Sequence, residues 1–420
     1  MPADALKCKE CSSTYPLEAR YVCERCFGPL EVAYRPPDAD PAELKRRIQA
    51  GPHTLWRYAD FLPLEGPARS ALPTGWTPLV RADRLAERLG LGELWIKNET
   101  ANPTHSFKDR VVSVALARAQ ELGFQTIACA STGNLANAVS AHAAAAGLES
   151  YVLVPADLEQ EKILATGAYG TNIVAVRGNY DAVNRLCTEI AGERPWAFVN
   201  VNLRPYYAEG SKTLAFETAE QLGWELPDRV VAPIASGSLF TKVARGFREF
   251  IDAGLVEGTL PAFNGAQALG CSPVAAAFAA GTEVCRPVKP DTIAKSLAIG
   301  NPADGPYAVE LARETGGGVD SVTDDDIRAG IRLLAETTGI FTETAGGVTT
   351  AVLAKLADRG DIDPRERVVV YITGDGLKTL DTVRGTFAVT EIAPSLDEFE
   401  SALSRPGGLA TAFGSTEALV

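Results

Sequence analysis

Residues 93–123, ELWIKNETANPTHSFKDRVVSVALARAQELG, read as a short strand, a polar loop and a helix that closes on glycine. Strand, loop and helix in that order make half of a βα unit, and the unit recurs along the chain. TIACAS (126–131), SYVLVP (150–155), NIVAV (172–176), AFVNVN (197–202), RVVAPI (229–234) and RVVVYI (367–372) read as strands. Between them, NLANAVSAHAAAAG (134–147), EQEKILATG (159–167), YDAVNRLCTEIA (180–191), GSKTLAFETAEQLG (210–223), LFTKVARGFREFIDAG (239–254), TDDDIRAGIRLLAETTG (323–339) and GGVTTAVLAKLADRG (346–360) read as helices, with ALGCSP (268–273) in the same rhythm. Short apolar runs alternating with Ala-rich helices specify an α/β fold with open, mainly parallel sheets. There are too many strands for one small sheet, so two α/β domains with a crevice between them are expected: a large one from 76–125 and 210–395, and a small one from 126–209.

The composition agrees. At about 150 residues per domain, 420 residues allow two or three folded units. With 46% hydrophobic and 22% charged residues the chain is neither disordered nor fibrous. A net charge of -13 offers no basic surface to nucleic acid. No apolar window approaches the length of a membrane span, and the opening MPADALKCKE lacks the form of a secretory signal, so a cytoplasmic protein with no membrane partner is expected. Residues 36–75, rich in Pro and Gly, read as a linker with one short helix around Ala42 to Ala50. Residues 396–420 read as a short helix, around Leu396 to Leu403, and a loose tail.

Residues 1–35 hold four of the eight cysteines, Cys8, Cys11, Cys23 and Cys26, as CxxC, eleven residues, CxxC. Two close pairs of thiolates suit a tetrahedral zinc ion, and so short a segment has too little apolar core to fold alone. All-cysteine ligation leaves no open position for substrate, which makes the zinc structural. Gly28, two after Cys26, is expected to supply a turn with positive φ, a need that Ser13 at the matching position does not meet.

Three loops fall where strands give way to helices, the places at which open parallel sheets bind ligands. NETANPTHSFKDR delivers Lys108 to a helix N-terminus, an unusual station for a cation unless Asp109 or Glu99 pairs with it. ASTGNLANA offers Ser131, Thr132, Gly133 and Asn134 to an anion or to helix capping. APIASGSLFTK brings small residues, Ala235 to Leu239, close enough for a phosphate. Neither GxxxxGK[ST] nor GxGxxG after a strand is present, which argues against P-loop and dinucleotide binding.

NPTHSFKDR resembles the Schiff-base motif of threonine synthases, members of the fold type II pyridoxal-phosphate enzymes (tryptophan synthase β-like). STGN, YAEGSKTLAFE, GCSP, AKSLAIGNP, FTETAGGVTTAVLAKL and TGDGLK resemble that family in the same order, from about residue 5 to 385, and a subset of the family carries an N-terminal cysteine ribbon. The resemblance implies that Lys108 binds the coenzyme covalently and moves protons, with Phe107 packed near the ring. It implies Asn134 at the ring hydroxyl, Ser236, Gly237, Ser238 and Leu239 around the coenzyme phosphate, Thr373 at the pyridine nitrogen and Gly374 allowing close approach. Ser131, Thr132 and Gly133 would hold the substrate carboxylate.

The implied activity is that of a lyase: loss of phosphate from O-phospho-L-homoserine followed by water addition to give L-threonine. Two departures bear on it. Leu135 follows STGN where the family has a threonine, and Tyr207 replaces an arginine two residues before the Glu-Gly pair. Arg204, Lys212 or Arg110 could restore a cation for the substrate phosphate. The rival reading keeps substrate and coenzyme but performs γ-replacement by sulfide or a sulfur-carrier protein thiocarboxylate, giving homocysteine for methionine biosynthesis. A serine/threonine dehydratase, a cysteate-type β-replacement enzyme and a non-catalytic binding protein with a decayed site complete the alternatives. The family also implies a homodimer. His142 is read as a packed or surface residue, and His105 stays outside the catalytic set.

Overall fold

The computed structural model describes residues 1–66, 72–131, 133–156, 160–178 and 180–404. Among these described residues, thirteen strands form three sheets. β1 (Ala3–Cys8), β2 (Thr14–Tyr15) and β3 (Leu30–Tyr34) make an antiparallel ribbon in the order β2-β1-β3. β4 (Leu79–Arg81) and β5 (Glu93–Asn98) belong to a second sheet, whereas β6 (Thr126–Ala130), β7 (Glu149–Pro155), β8 (Asn172–Val176) and β9 (Ala197–Phe198) form a parallel sheet in the order β8-β7-β6-β9. β10 (Arg229–Pro233), β11 (Ala262–Ala268), β12 (Gly318–Val322) and β13 (Arg367–Ile372) complete the second sheet, in the order β12-β11-β10-β13-β5-β4, with only β4 antiparallel to its neighbour. The central strands are buried on both faces, which is why β10 and β13 read as unbroken apolar runs.

Several sequence expectations change in the structure. AFVNVN is a strand only at Ala197–Phe198, because the Asn202 side chain accepts from the Phe198 N–H and donates to the Trp196 carbonyl, turning the chain into a helix at Arg204–Glu209. The supposed linker is core: Tyr58 and Phe61 are fully buried, and their rings lie 5.4 and 5.3 Å from Phe216. Arg57 in the same segment is held by Glu220 at 2.7 Å. The body assigned to end at 395 closes earlier, since Met1–Lys378 is one compact unit and Thr379–Val420 a second. The second unit contains a helix at Leu396–Ser404, and the rest of the expected tail lies outside the described residues. Among the described residues no helix is long and apolar enough to cross a membrane.

At the centre of the first unit lie four fully buried charges, Lys97, Glu99, Arg110 and Glu217. Arg110 meets Glu99 at 2.6 Å and Glu217 at 2.6 Å, and Lys97 meets Glu217 at 2.7 Å. Thr77 and Thr213 hydroxyls accept from the same guanidinium, each at 3.0 Å. The cluster joins β5, the helix Lys108–Glu121 and the helix Thr213–Gln221. Removing one member strands an opposite charge in a dry interior, so Arg110→Met should lower unfolding free energy by about 3–5 kcal/mol in urea titrations. Burial pushes the Glu217 carboxyl up, but Arg110 and then Lys97 outweigh it and hold it down at about 2. The unfolded chain therefore binds this proton more readily. The contribution should be complete above about pH 4.5 and fade as the pH falls toward 2, which acid-denaturation curves of the wild type will show.

Candidate active site

Lys108 is the first residue of its helix, and the loop before it is pinned from two sides. Asp109 accepts from the Thr104 N–H at 2.8 Å and from the Thr104 hydroxyl at 2.9 Å. The Phe107 N–H donates to the Thr373 carbonyl at 3.0 Å, and Ser106 bridges to Gly374, so the loop is stitched to the chain just beyond β13. Neither carboxylate considered as a partner takes the lysine: Glu99 is bound by Arg110, and Asp109 by Thr104 and His142. The Lys108 Nζ instead donates to the Tyr207 hydroxyl at 2.8 Å and lies 4.6 Å from the centre of the Phe107 ring.

Around this amine the structure gathers Asn134 and two groups not foreseen from sequence, Glu343 and Lys378. The Asn134 amide nitrogen donates to Glu343 at 2.9 Å, and its oxygen accepts from Lys378 at 2.8 Å. Burial raises the Glu343 carboxyl above its ordinary range against the pull of Asn134, Lys378 and Lys108, and burial lowers Lys378. Gly374 is required by this group, because a Cβ there would lie 2.6 Å from a Glu343 oxygen. The sequence signal for Glu343 is its place in FTETAGGVTTAVLAKL, immediately before Thr344–Asp358, a helix of small, buried residues, and that for Lys378 is its place in TGDGLK. Thr373 is buried, 2% exposed, beside the Phe107 backbone.

Two of the helix N-termini without side-chain caps follow the loops singled out in the sequence. One opens Asn134–Ala146, after Ser131 and Gly133; Thr132 lies outside the described residues. Leu135 on that helix is buried in an apolar cluster with Val111 and Val139. The other opens Ser238–Asp252 after Gly237, whose φ of 94° suits glycine and whose Cβ would meet the Asp304 carbonyl at 2.6 Å. The Ser238 N–H reaches only the Ser236 hydroxyl, at 3.4 Å, and among the described residues the Leu239 and Phe240 N–H groups meet no acceptor. Arg204 pairs with Asp304 beside this loop at 3.0 Å.

Two cations suggested for substrate are placed elsewhere. Lys212 is fully buried between Glu209 at 2.6 Å and Glu249 at 2.9 Å, and Arg110 is enclosed in the central cluster. Neither can reach a ligand without abandoning buried carboxylates. His142 is packed, with its Nε2 2.9 Å from Asp109, and His105 is exposed.

In the ribbon the four cysteine sulfurs lie within 4.8 Å of one another, with Cys8 and Cys26 at 3.5 Å and Cys11 and Cys23 at 3.6 Å. Four thiolates around zinc would sit roughly 3.8 Å apart, so the set fits a tetrahedral metal. The positive φ falls on Ser12 and Phe27, each directly after the second cysteine of its pair, and not on Gly28. Gly28 is small because the Glu10 side chain and the Cys8 sulfur crowd it.

A family described as pyridoxal-phosphate dependent enzyme matches residues 71–374. Threonine synthase of Methanocaldococcus jannaschii is 37% identical over 379 residues, 89% of this chain and 93% of that protein. Threonine synthase of Methanosarcina acetivorans is 38% identical over 384 residues, 90% and 93% of the two chains. Among solved structures, the processed form of threonine deaminase isoform 2 from Solanum lycopersicum superposes with a TM-score of 0.62 at 22% identity, over 84% of this chain and 96% of that one. The residues fit the coenzyme: a lysine amine with an aromatic neighbour, and an N-terminus with unpartnered N–H groups behind a glycine where a Cβ would meet the Asp304 carbonyl. Replacing Lys108 by Ala should abolish borohydride-trapped coenzyme and cut turnover by about a thousandfold or more, both read on the same preparation.

Proposed function

The chain belongs to the pyridoxal-phosphate dependent enzymes and, within them, to the threonine synthases, and on that premise we propose that it converts O-phospho-L-homoserine to L-threonine. It is a threonine-synthase-type lyase; substrate, product and the residue roles below are our reading. The observation that carries it is one short helix, Arg204–Glu209, that serves two sites at once: Tyr207 holds Lys108, and Arg204 holds Asp304 beside the phosphate loop.

The coenzyme, when bound, supplies the electron sink that makes the carbons next to the substrate nitrogen acidic. The Lys108 amine is the group placed to take and return protons, and the Tyr207 hydroxyl accepts its N–H, holding the amine on one line of approach. The free N–H groups at Ser238–Asp252 receive the coenzyme phosphate. Those at Asn134–Ala146, with Ser131 and Gly133, receive the substrate carboxylate. Asn134, fixed by Glu343 and Lys378, would hold the ring oxygen through its amide nitrogen, exchanging a Glu343 contact for it. Thr373, buried beside the Phe107 backbone, would offer the ring nitrogen a neutral hydroxyl. We assign zinc to Cys8, Cys11, Cys23 and Cys26, whose four thiolates leave no position for substrate.

One observation favours γ-replacement by sulfur as the second reading. The side chain at Leu135 donates nothing, and Tyr207 is engaged by the lysine, so the two positions at which the family holds substrate by polar groups hold little here. A looser grip at Cγ would let a nucleophile arrive before a proton.

Purified protein given O-phospho-L-homoserine alone should release phosphate and threonine in equal amounts. Homocysteine with sulfide, and little threonine without it, would replace the first reading by the second. Tyr207→Phe should lower kcat by about 10²–10⁴-fold while leaving coenzyme content near one per chain, measured by absorbance after denaturation.

A further inference from the structure

The metal knuckle of the ribbon reaches the phosphate loop through three residues. Lys9, between Cys8 and Cys11, extends its Nζ over the Tyr307 ring, 3.1 Å from the centre, and toward Asp304 at 3.9 Å. Glu10, its neighbour, accepts a hydrogen bond from the Tyr307 hydroxyl. Asp304 in turn donates its N–H to the Ser236 carbonyl at 2.8 Å and presses its own carbonyl against Gly237. Asp304 and Tyr307 sit at the start of one helix, Gly305–Glu314, so a single rigid end carries both contacts. A cavity of about 30 Å³, with room for a water molecule, is lined by Lys9, Glu31, Arg204, Ser238, Lys242 and Asp304, which puts ribbon and phosphate loop on opposite walls of one small space.

The backbone of the knuckle is set by the metal. The Ser12 N–H donates to the Cys8 carbonyl, and Lys9 N–H to Pro29 in the second knuckle, so the direction in which Lys9 leaves the ribbon depends on how the two CxxC turns are clamped together. Asp304 has a second cation, Arg204, but that one comes from the helix bearing Tyr207 and carries no information about the ribbon.

We propose that Lys9 is a positioning residue for the coenzyme's phosphate loop, acting through Asp304 and Tyr307, and that metal on the ribbon and pyridoxal phosphate on the loop consequently bind with positive cooperativity. The proposal rests on the coenzyme reading given above. Linkage requires the effect to be mutual: metal strengthens coenzyme binding by the same factor as coenzyme strengthens metal binding.

The test is to measure the pyridoxal phosphate dissociation constant of the full chain by fluorescence, with zinc bound and after chelation, in the wild type, Lys9→Met and Lys9→Arg. In the wild type we expect about fivefold or more tighter coenzyme binding with zinc than without. With zinc bound, Lys9→Met should lose most of that factor and Lys9→Arg should restore it. Equal coenzyme affinity with and without zinc in the wild type, or full cooperativity in Lys9→Met, would overturn the proposal. Should chelation or the substitution unfold the ribbon, competition of the wild type against a zinc chelator, with and without pyridoxal phosphate, reads the same coupling from the other side; identical zinc affinities there also overturn it. No coenzyme binding by the wild type under any condition would defeat the coenzyme reading itself, and this proposal with it.

Discussion

Two cations and two carboxylates lie sealed in the interior, and the position of the reactive lysine depends on them. Arg110 is two residues past Lys108 and is gripped by Glu99 from the end of β5 and by Glu217 from a helix more than a hundred residues away in sequence. Its planar fork meets both carboxylates with paired hydrogen bonds, which a lysine could not reproduce. Burying four charges is costly in desolvation and gains little net stability over a well-packed apolar core. What the arrangement supplies is uniqueness: only one rotation of the helix Lys108–Glu121 satisfies every donor, and that rotation turns Lys108 toward Tyr207. The gain fits a site in which an amine must be held to within a fraction of an ångström.

The α/β rhythm was legible because central parallel strands, buried on both faces, must be written in Val, Ile and Ala. β11 was hidden for the same physical reason inverted. Its sequence, AFNGAQA, spends buried positions on Asn264, which accepts from Arg229, and on Gln267, whose oxygen caps the helix Pro273–Ala279 through the Val274 and Ala275 N–H groups. Gly265 is small because Ile234 occupies the space a side chain would need. The helix Gly305–Glu314 and β12 passed unnoticed after it, since without β11 nothing marked where they should pair. The supposed linker was misread because Pro and Gly at its edges conceal the buried Leu55, Tyr58 and Phe61 between them.

The site divides along the same line. Lys108, Asn134, Gly237 and the four cysteines are contiguous in short motifs, and motif spacing is a local property. Glu343 and Lys378 also stand in stretches that resemble the family, FTETAGGVTTAVLAKL and TGDGLK, but their partner Asn134 lies 209 and 244 residues away, so the motifs do not say what these two residues hold. Cations in a suggestive neighbourhood misled for the opposite reason. Lys212 lies in a motif shared with the family, but shared position does not distinguish a residue that touches ligand from one that holds the framework.

That distinction has a consequence for the ribbon and the site together. Lys212 lies between Glu209 and Glu249, with its ammonium 3.9 Å from the centre of the Tyr34 ring, and Tyr34 on β3 donates to Glu209 at 2.7 Å. Lys242 also binds Glu209, at 2.7 Å, and Arg245 binds Glu31 of β3 at 2.6 Å. The Glu209–Lys212 segment is thus the socket into which the third ribbon strand docks, and its charges are spent there. The cation that does stand beside Lys108 is Lys378, held by the Thr104 carbonyl and the Asn134 amide oxygen, so the charge of the site comes from a stretch far from the motif whose own charges dock the ribbon.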